Sequence, residues 1–369
     1  MLHWTWNSLF AERWNLLASL AAIGGAFSLV LFFEAVFAGE SKQIIAYIEK
    51  TDSDVWVMQR GVSNMHMATS FISDWKGERI KDLDGVSDVT PILYLNTVMQ
   101  AGDGKWFSFV VGLETGDSRA GPWSVSAGKT LPDAGEVLIP AVLARLANLE
   151  LGGTVSIAGR KFVIAGMTEG TFSMANSITF VTMQDLADVM STFGTMSYFL
   201  VDASAGVDSA LLAEQIQSEI DKVTALPQDI FVRNDWDTAM QMGVEIIGLM
   251  TIIGGALAVL LTGFTIYSST VRRESELAVL KALGFRNRSI YASVMLQAGV
   301  HAVLGFLFAY GLVLVFIPVT TYFVPQVTLH ITGSALLRVF SVALSVALLA
   351  CLLPVRRIVG IDPVLAFRS

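Results

Sequence analysis

Residues 269–289, STVRRESELAVLKALGFRNRS, lie between two long apolar runs, and their reading decides the fold. The stretch is basic, helix-forming and amphipathic, yet far too short to be a domain. The run before it, Ile246–Tyr267 (IIGLMTIIGGALAVLLTGFTIY), and the run after it, about Tyr291–Ile317, are each long enough to cross a bilayer. A 22-residue helix spans about 33 Å at 1.5 Å per residue, which matches the hydrocarbon core. Two further runs of this kind occur, Leu16–Phe37 and Ala335–Leu353. The short basic segment is therefore the turn between two membrane helices.

Composition agrees. Of 369 residues, 53% are hydrophobic and 15% charged, and the mean hydropathy is +0.60. Charge is unevenly spread: Glu40–Asp237 holds 14 Lys+Arg and 26 Asp+Glu, against 10 and 6 in the rest of the chain. An acidic aqueous block thus sits between basic, apolar flanks. The fold class this implies is an α-helical membrane protein with four transmembrane helices and a large extracytoplasmic α/β (α+β) domain between helices 1 and 2. The expected boundaries are 1–39 for an N-terminal interfacial helix and the first span, 40–240 for the outer domain, and 241–369 for the last three spans. Cys351, the lone cysteine, lies in an apolar run, so the core of the aqueous block rests on packing without disulfides. Val36-Phe-Ala38 resembles a signal-cleavage site, but the apolar run before it is too long and its flank barely positive, so it reads as a span.

Orientation follows from the short loops. Arg272, Arg273, Lys281, Arg286 and Arg288 lie between spans two and three, and Arg356, Arg357 and Arg368 follow span four. Residues 319–334 contain no Lys or Arg. The positive-inside rule places the basic segments and both termini in the cytosol and the acidic block outside. Trp4, Trp6 and Trp14 read as interfacial anchors. The paired glycines Gly24, Gly25, Gly254 and Gly255 read as sites where helices approach closely.

In the outer block, 54–59, 106–112 and 136–140 read as strands, 141–149 and 209–223 as helices, and 153–167 as a hairpin turning at Gly159. On the second helix Leu211, Leu212, Ile216 and Ile220 are expected on one face. Two motifs there carry no chemistry. Ser126-Ala-Gly-Lys-Thr130 ends like a phosphate loop, but Trp123 stands where the first glycine belongs, so it reads as a turn. In Met65-His66-Met67, adjacent side chains do not converge on one metal, so packing is expected. Within the membrane, Arg338 is expected to pair with Glu34 or Glu245 near the outer leaflet, and His301 to hydrogen-bond inside the bundle. Nothing suggests a catalytic constellation, a metal site or a nucleic-acid partner.

Glu274–Gly284 reads as a short helix, with charge pairing among Arg272, Glu276 and Lys281, a stop at Gly284, and Leu277, Leu280, Lys281 and Gly284 on one face. Such an element suits the transmission of force from a soluble partner, or simple rest on anionic lipid. The run from Arg273 to Arg286, RESELAVLKALGFR, closely resembles the R-x-x-E-x-x-x-L-[RK]-A-L-G segment of FtsX/MacB-like ABC transporter permeases. Residues 361–368, IDPVLAFR, are similar to the ending of that family, and 135–166 to its outer hairpin region. The order of one span, a large outer domain and three spans also fits.

The resemblance implies a permease in the bacterial inner membrane. A second, usually identical copy and cytosolic ATPase subunits would complete it. No Walker motif is present, so ATP and Mg would be bound by a separate ATPase chain and this chain would need no cofactor. The segment at about 272–286 would be the coupling helix, engaging the ATPase through Arg272, Arg273, Glu276, Leu277, Leu280, Lys281, Leu283, Gly284 and Arg286. Asp362, Pro363 and Arg368 would form a C-terminal cytosolic motif. Coupled motion of the outer domain, mechanotransmission, would export or extract an amphiphilic substrate from the membrane lipid, in some members with a periplasmic adaptor. FtsX-like relatives use the same parts for signalling to a cell-wall hydrolase.

Overall fold

A computed structural model describes residues 13–174, 177–241 and 245–360. The chain falls into two compact units. One takes the described residues up to Gly39, Glu245–Val324 and the described residues from Leu329; the other takes those of Glu40–Val244 together with Pro325–Thr328. Among the described residues four helices are long and apolar enough to cross a membrane.

The first described element is α1 (Arg13–Ile44), followed by a short α2 (Ala46–Lys50). The outer unit then runs β1 (Val55–Gln59), β2 (Ile72–Ser73), α3 (Trp75–Lys81), β3 (Val86–Ala101), β4 (Gly104–Leu113), β5 (Val125–Gly128), β6 (Glu136–Pro140) and α4 (Ala141–Leu146). It continues with β7 (Thr154–Ile157), β8 (Arg160–Thr168), β9 (Ser177–Thr182), α5 (Met183–Met190), β10 (Thr195–Met196), β11 (Tyr198–Ala203), α6 (Ser209–Glu219), β12 (Val223–Pro227) and α7 (Gln228–Ala239).

One mixed sheet organises this unit, in the order β12-β1-β11-β3-β4-β9-β6-β8-β5, with β7 beside β3 and β8. The long β3 holds it together: residues 86–92 pair with β11 and residues 93–101 with β4. Strand β9, SITFVT, is buried along its whole length because it lies between β4 and β6. Strands with both faces covered read as continuous apolar runs. On one side Trp56 stacks on Phe231 at 4.8 Å between ring centroids and meets Tyr198 edge-on at 5.6 Å. Such pairs add roughly 0.5–1.5 kcal/mol to the burial of the rings. Burial pushes the Tyr47, Tyr94 and Tyr198 phenols well above their usual range.

The hairpin forms where its sequence places it, with Ala158 and Gly159 both at positive φ (48° and 89°), the geometry of a tight two-residue turn. Helix α6 differs from expectation. Asp208 caps it, accepting from the Ala210 and Leu211 amides at 2.8 and 3.2 Å, but it stops at Glu219 because Val223 enters β12. Its buried face is Leu212, Ala213 and Ile216, with Ile220 just beyond; Leu211 is 67% exposed. Residues 212, 216 and 220 form the i, i+4 line, and Leu211 is turned about 100° away from it.

The membrane unit adds α8 (Glu245–Arg272), α9 (Glu274–Ala282), α10 (Asn287–Phe323) and α11 (Gly333–Gly360) to α1. The helices exceed the apolar runs at both ends, since a helix need not stop where its hydrophobic stretch does. Packing follows small residues at i+4 spacing: Gly254, Ala258 and Thr262 on α8, Ala298 and Ala302 on α10, Ala343, Ala347 and Cys351 on α11. In lipid, where apolar surface alone drives little association, small residues let backbones approach. Gly24 and Gly305 mark the closest approach: a Cβ on Gly24 would lie 2.4 Å from Phe308, and one on Gly305 2.6 Å from Ile23. Gly254 makes ordinary contact with Phe33 and Val30, whereas Gly25 and Gly255 face open space within the chain.

Candidate functional site

The turn between α8 and α10 is built as a foot. Helix α8 ends at Arg272, and Arg273, with φ −99° and ψ 14°, breaks the path so that α9 sets off in a new direction. Glu274 and Glu276 occupy the first turn of α9 and Lys281 the last, the polarity that complements a helix dipole. The stop is a Schellman motif. The Gly284 amide donates to the Lys281 carbonyl at 3.0 Å and the Phe285 amide to the Leu280 carbonyl at 3.2 Å. Gly284 has φ +85°, which favours glycine over any side chain.

The two sides of α9 have different environments. Leu277 and Ala278 are 2% and 4% exposed, Leu280 packs partly behind them, and the helix lies against α8, α10 and α11. Leu277 and Leu280 therefore anchor the foot to the bundle, so these two leucines of the expected face are turned away from any partner. The exposed side instead shows Glu276, Val279 and Leu283, at i, i+3 and i+7, followed by Phe285 and Arg286; Leu283 is 70% exposed. Val279 and Phe285 were not anticipated. The periodic signal was present, but which stripe packs depends on three neighbouring helices that the local sequence does not specify. Arg272 is exposed; Arg273 and Lys281 are half-buried. Among the described residues no ion pair joins Arg272 to Glu276, because the break at Arg273 puts them on different helices.

Within the bundle, Arg338 Nη2 donates to Glu34 Oε2 at 2.8 Å. Glu245 does not share the pair; it is exposed in the first turn of α8, where its charge suits the helix N-terminus. His301 is 9% exposed, and its Nδ1 donates to the Gln297 carbonyl of its own helix at 2.8 Å. Trp4, Trp6, Asp362, Pro363 and Arg368 lie outside the described residues.

The outer-unit motifs are held by packing and ion pairs. His66 Nδ1 meets Asp235 Oδ2 at 2.6 Å, and Asp235 Oδ1 accepts the Met65 and His66 amides at 2.7 and 3.0 Å. Among the described residues no three His, Cys, Asp or Glu side chains gather to hold a metal. Gly128 ends β5, and Lys129 Nζ engages Asp133 at 2.7 Å and Glu136 at 2.8 Å, so this lysine is occupied.

These features define a multi-pass membrane protein with a large domain between its first two spans and a short helix linking the second and third. Residues 16–219 match the MacB-like periplasmic core domain and residues 248–363 the FtsX-like permease C-terminal family. The chain belongs to the FtsX/MacB-like family of ABC transporter permeases. It is 24% identical over 360 residues to an uncharacterised ABC transporter permease of Mycobacterium tuberculosis (strain ATCC 25618 / H37Rv), covering 96% of this chain and 95% of the relative. It is 23% identical over 355 residues to another from Mycobacterium bovis (strain ATCC BAA-935 / AF2122/97), with the same coverage. Among solved structures it is similar to the periplasmic region of MacB from Actinobacillus actinomycetemcomitans, with TM-score 0.39, 13% identity, and coverage of 50% of this chain and 92% of that one. It is also similar to the extracellular domain of the ABC-type transporter YknZ from Gram-positive bacteria, with TM-score 0.36, 15% identity, and coverage of 47% and 100%.

Proposed function

We propose that this chain is the membrane subunit through which a separate cytosolic ATPase, holding ATP and Mg, drives motion of the outer domain. It would work in the cytoplasmic membrane as one of two identical copies, with both termini in the cytosol, and export or extract an amphiphilic substrate. The observation that carries this reading is the foot. It is fixed to three membrane helices through Leu277 and Ala278 and presents Glu276, Val279, Leu283, Phe285 and Arg286 on its exposed side. A helix rigidly fixed on one side and amphipathic on the other can pass a push to the spans it is wedged among. The surplus of Arg and Lys around it supports the cytosolic side.

The test is isolation of tagged complexes from the native host. Leu283→Asp and Val279→Asp are expected to reduce recovery of the ATPase at least tenfold, with insertion of this chain unchanged. Full recovery with both variants would overturn the assignment of the foot. In vesicles carrying the wild-type complex, ATP should also move an amphiphilic probe across or out of the bilayer. Outer-domain motion without probe movement would make the chain a signalling subunit instead.

A further inference from the structure

Glu40 is 1% exposed, four residues before the end of α1. Its carboxylate is shared between two segments remote in sequence. Oε2 accepts the Met174 amide at 2.9 Å and Oε1 the Thr328 amide at 2.8 Å. Met174 belongs to the connection between β8 and β9, and Thr328 to the connection between α10 and α11. One turn along α1, Gln43 Nε2 donates to the Gly170 carbonyl in the first of these connections. Residues 40 and 43 share a helix face, so that face of α1 holds the loop at two points.

A buried carboxylate is costly unless hydrogen bonds compensate it, and bonds from backbone amides to a charged acceptor are among the stronger ones. Simple packing of these loops could be achieved by an apolar residue at position 40. A charged residue with two separate amide partners instead specifies one geometry for three segments. Two of those segments are continuous with membrane helices: α1 itself, and the stretch that follows α10 at Phe323 and leads into α11 at Gly333. Met174 itself and Gln326, two residues before Thr328, also line a cavity of about 230 Å³ with Trp106, Phe107, Leu146, Phe172 and Ser173.

We propose that Glu40 is the positioning residue that makes the outer unit follow the membrane helices: its carboxylate ties the end of α1 to the 170–174 loop and to the 325–328 connection. This rests on the mechanotransmission reading above. Glutamine offers one carbonyl oxygen and cannot accept both amides in the same way, and alanine accepts neither.

The experiment uses the full chain in complex with its ATPase in lipid nanodiscs, with Met174→Cys and Thr328→Cys in a Cys351→Ala background. With Glu40 present, a short bis-maleimide linker, which adds to both thiols without an oxidant, should join the two cysteines efficiently. Glu40→Gln and Glu40→Ala should lower that yield at least fivefold and reduce ATP-dependent outer-unit motion, read by spin-label distances, by a similar factor. ATP hydrolysis should continue. In Glu40→Ala, closing the 174–328 link should restore the motion, which a purely structural loss of stability would not allow. Unchanged linking and unchanged motion in Glu40→Ala would overturn the proposal. Absence of any ATP-dependent motion in the wild type would overturn the mechanotransmission reading instead, and the linking yield would still decide whether Glu40 joins the segments.

Discussion

Arg338 on α11 and Glu34 on α1 form an ion pair, Nη2 to Oε2 at 2.8 Å, across 304 residues of sequence. The arginine side chain is 65% exposed within the chain and the glutamate 21%, so the pair sits at the margin of the bundle. Polar contacts between membrane helices contribute about 0.6 kcal/mol on average and up to about 1.7. Arg338→Ala should therefore destabilise the bundle by about 0.6–1.7 kcal/mol, since Glu34 would lose its partner. The charge-swapped Glu34→Arg/Arg338→Glu chain should recover at least half of that. A double-mutant cycle of unfolding in mixed micelles measures it; additive single effects would show that the pair contributes nothing.

Gly284 closes the foot at φ +85°, with open space around the position where a Cβ would stand. The cost of a side chain there is conformational, not steric. An L-residue in the left-handed region costs about 1–2 kcal/mol, and asparagine tolerates it better. Gly284→Ala should fray the last turn of α9 and raise hydrogen exchange at the Gly284 and Phe285 positions about tenfold, while Gly284→Asn should lie between it and the wild type. Equal protection in all three would mean that the Schellman bonds do not hold the foot.

The four spans are legible because each is a continuous apolar run, and the hairpin because Gly159 interrupts two alternating strands. The limits of the reading have physical causes. Helices α1 and α10 extend well past their apolar segments, because backbone hydrogen bonding continues where hydropathy ends. Leu211 looks like a core residue by composition, and only the register of α6 on the sheet turns it outward. On the foot, two alternative stripes exist in the sequence, and tertiary packing selects Leu277 for burial and Leu283 for exposure. The choice of Glu34 over Glu245 likewise depends on which helices meet. Glu40 gives no local signal: a lone glutamate after an apolar run reads as the end of a span, and its partners are 134 and 288 residues away.

Lys129 and Glu136 allow a test by pH. The Lys129 hydrogen bond and the Asp133 amide hold the Glu136 carboxyl below its usual range, while its two carboxylate partners hold Lys129 above its own. A carboxyl with a lowered folded-state pKa binds protons more readily in the unfolded chain. The stability it contributes is present above about pH 4.5 and is lost as pH falls through the folded value. Both groups are solvent-accessible, so the effect is small and screened by salt. Lys129→Met should flatten the dependence of melting temperature on pH between 5 and 3 at low salt and leave it unchanged near pH 7. An identical acid limb in the variant would show that the network does not couple to folding.

Asp235 accepts three hydrogen bonds in a site that is 0% exposed: the Met65 and His66 amides at Oδ1 and the His66 ring at Oδ2. The His66 ring also stands edge-on to Phe109 at 4.9 Å, so the pair fixes the 62–68 loop over the aromatic core. Removing the carboxylate leaves two buried amides and a ring nitrogen with lost partners, each costing about 1–3 kcal/mol. Asp235→Ala should therefore destabilise the outer unit by about 3 kcal/mol or more. Asp235→Asn keeps an oxygen for the amides and presents an N–H to the ring, which then adopts the tautomer with the proton on Nε2. Its cost should be about 1 kcal/mol. If His66 and Asp235 were instead half of a metal site, asparagine would abolish metal binding while barely affecting stability. The packing role therefore requires unfolding midpoints that are unchanged by adding copper or zinc and that fall in the order wild type, Asn, Ala.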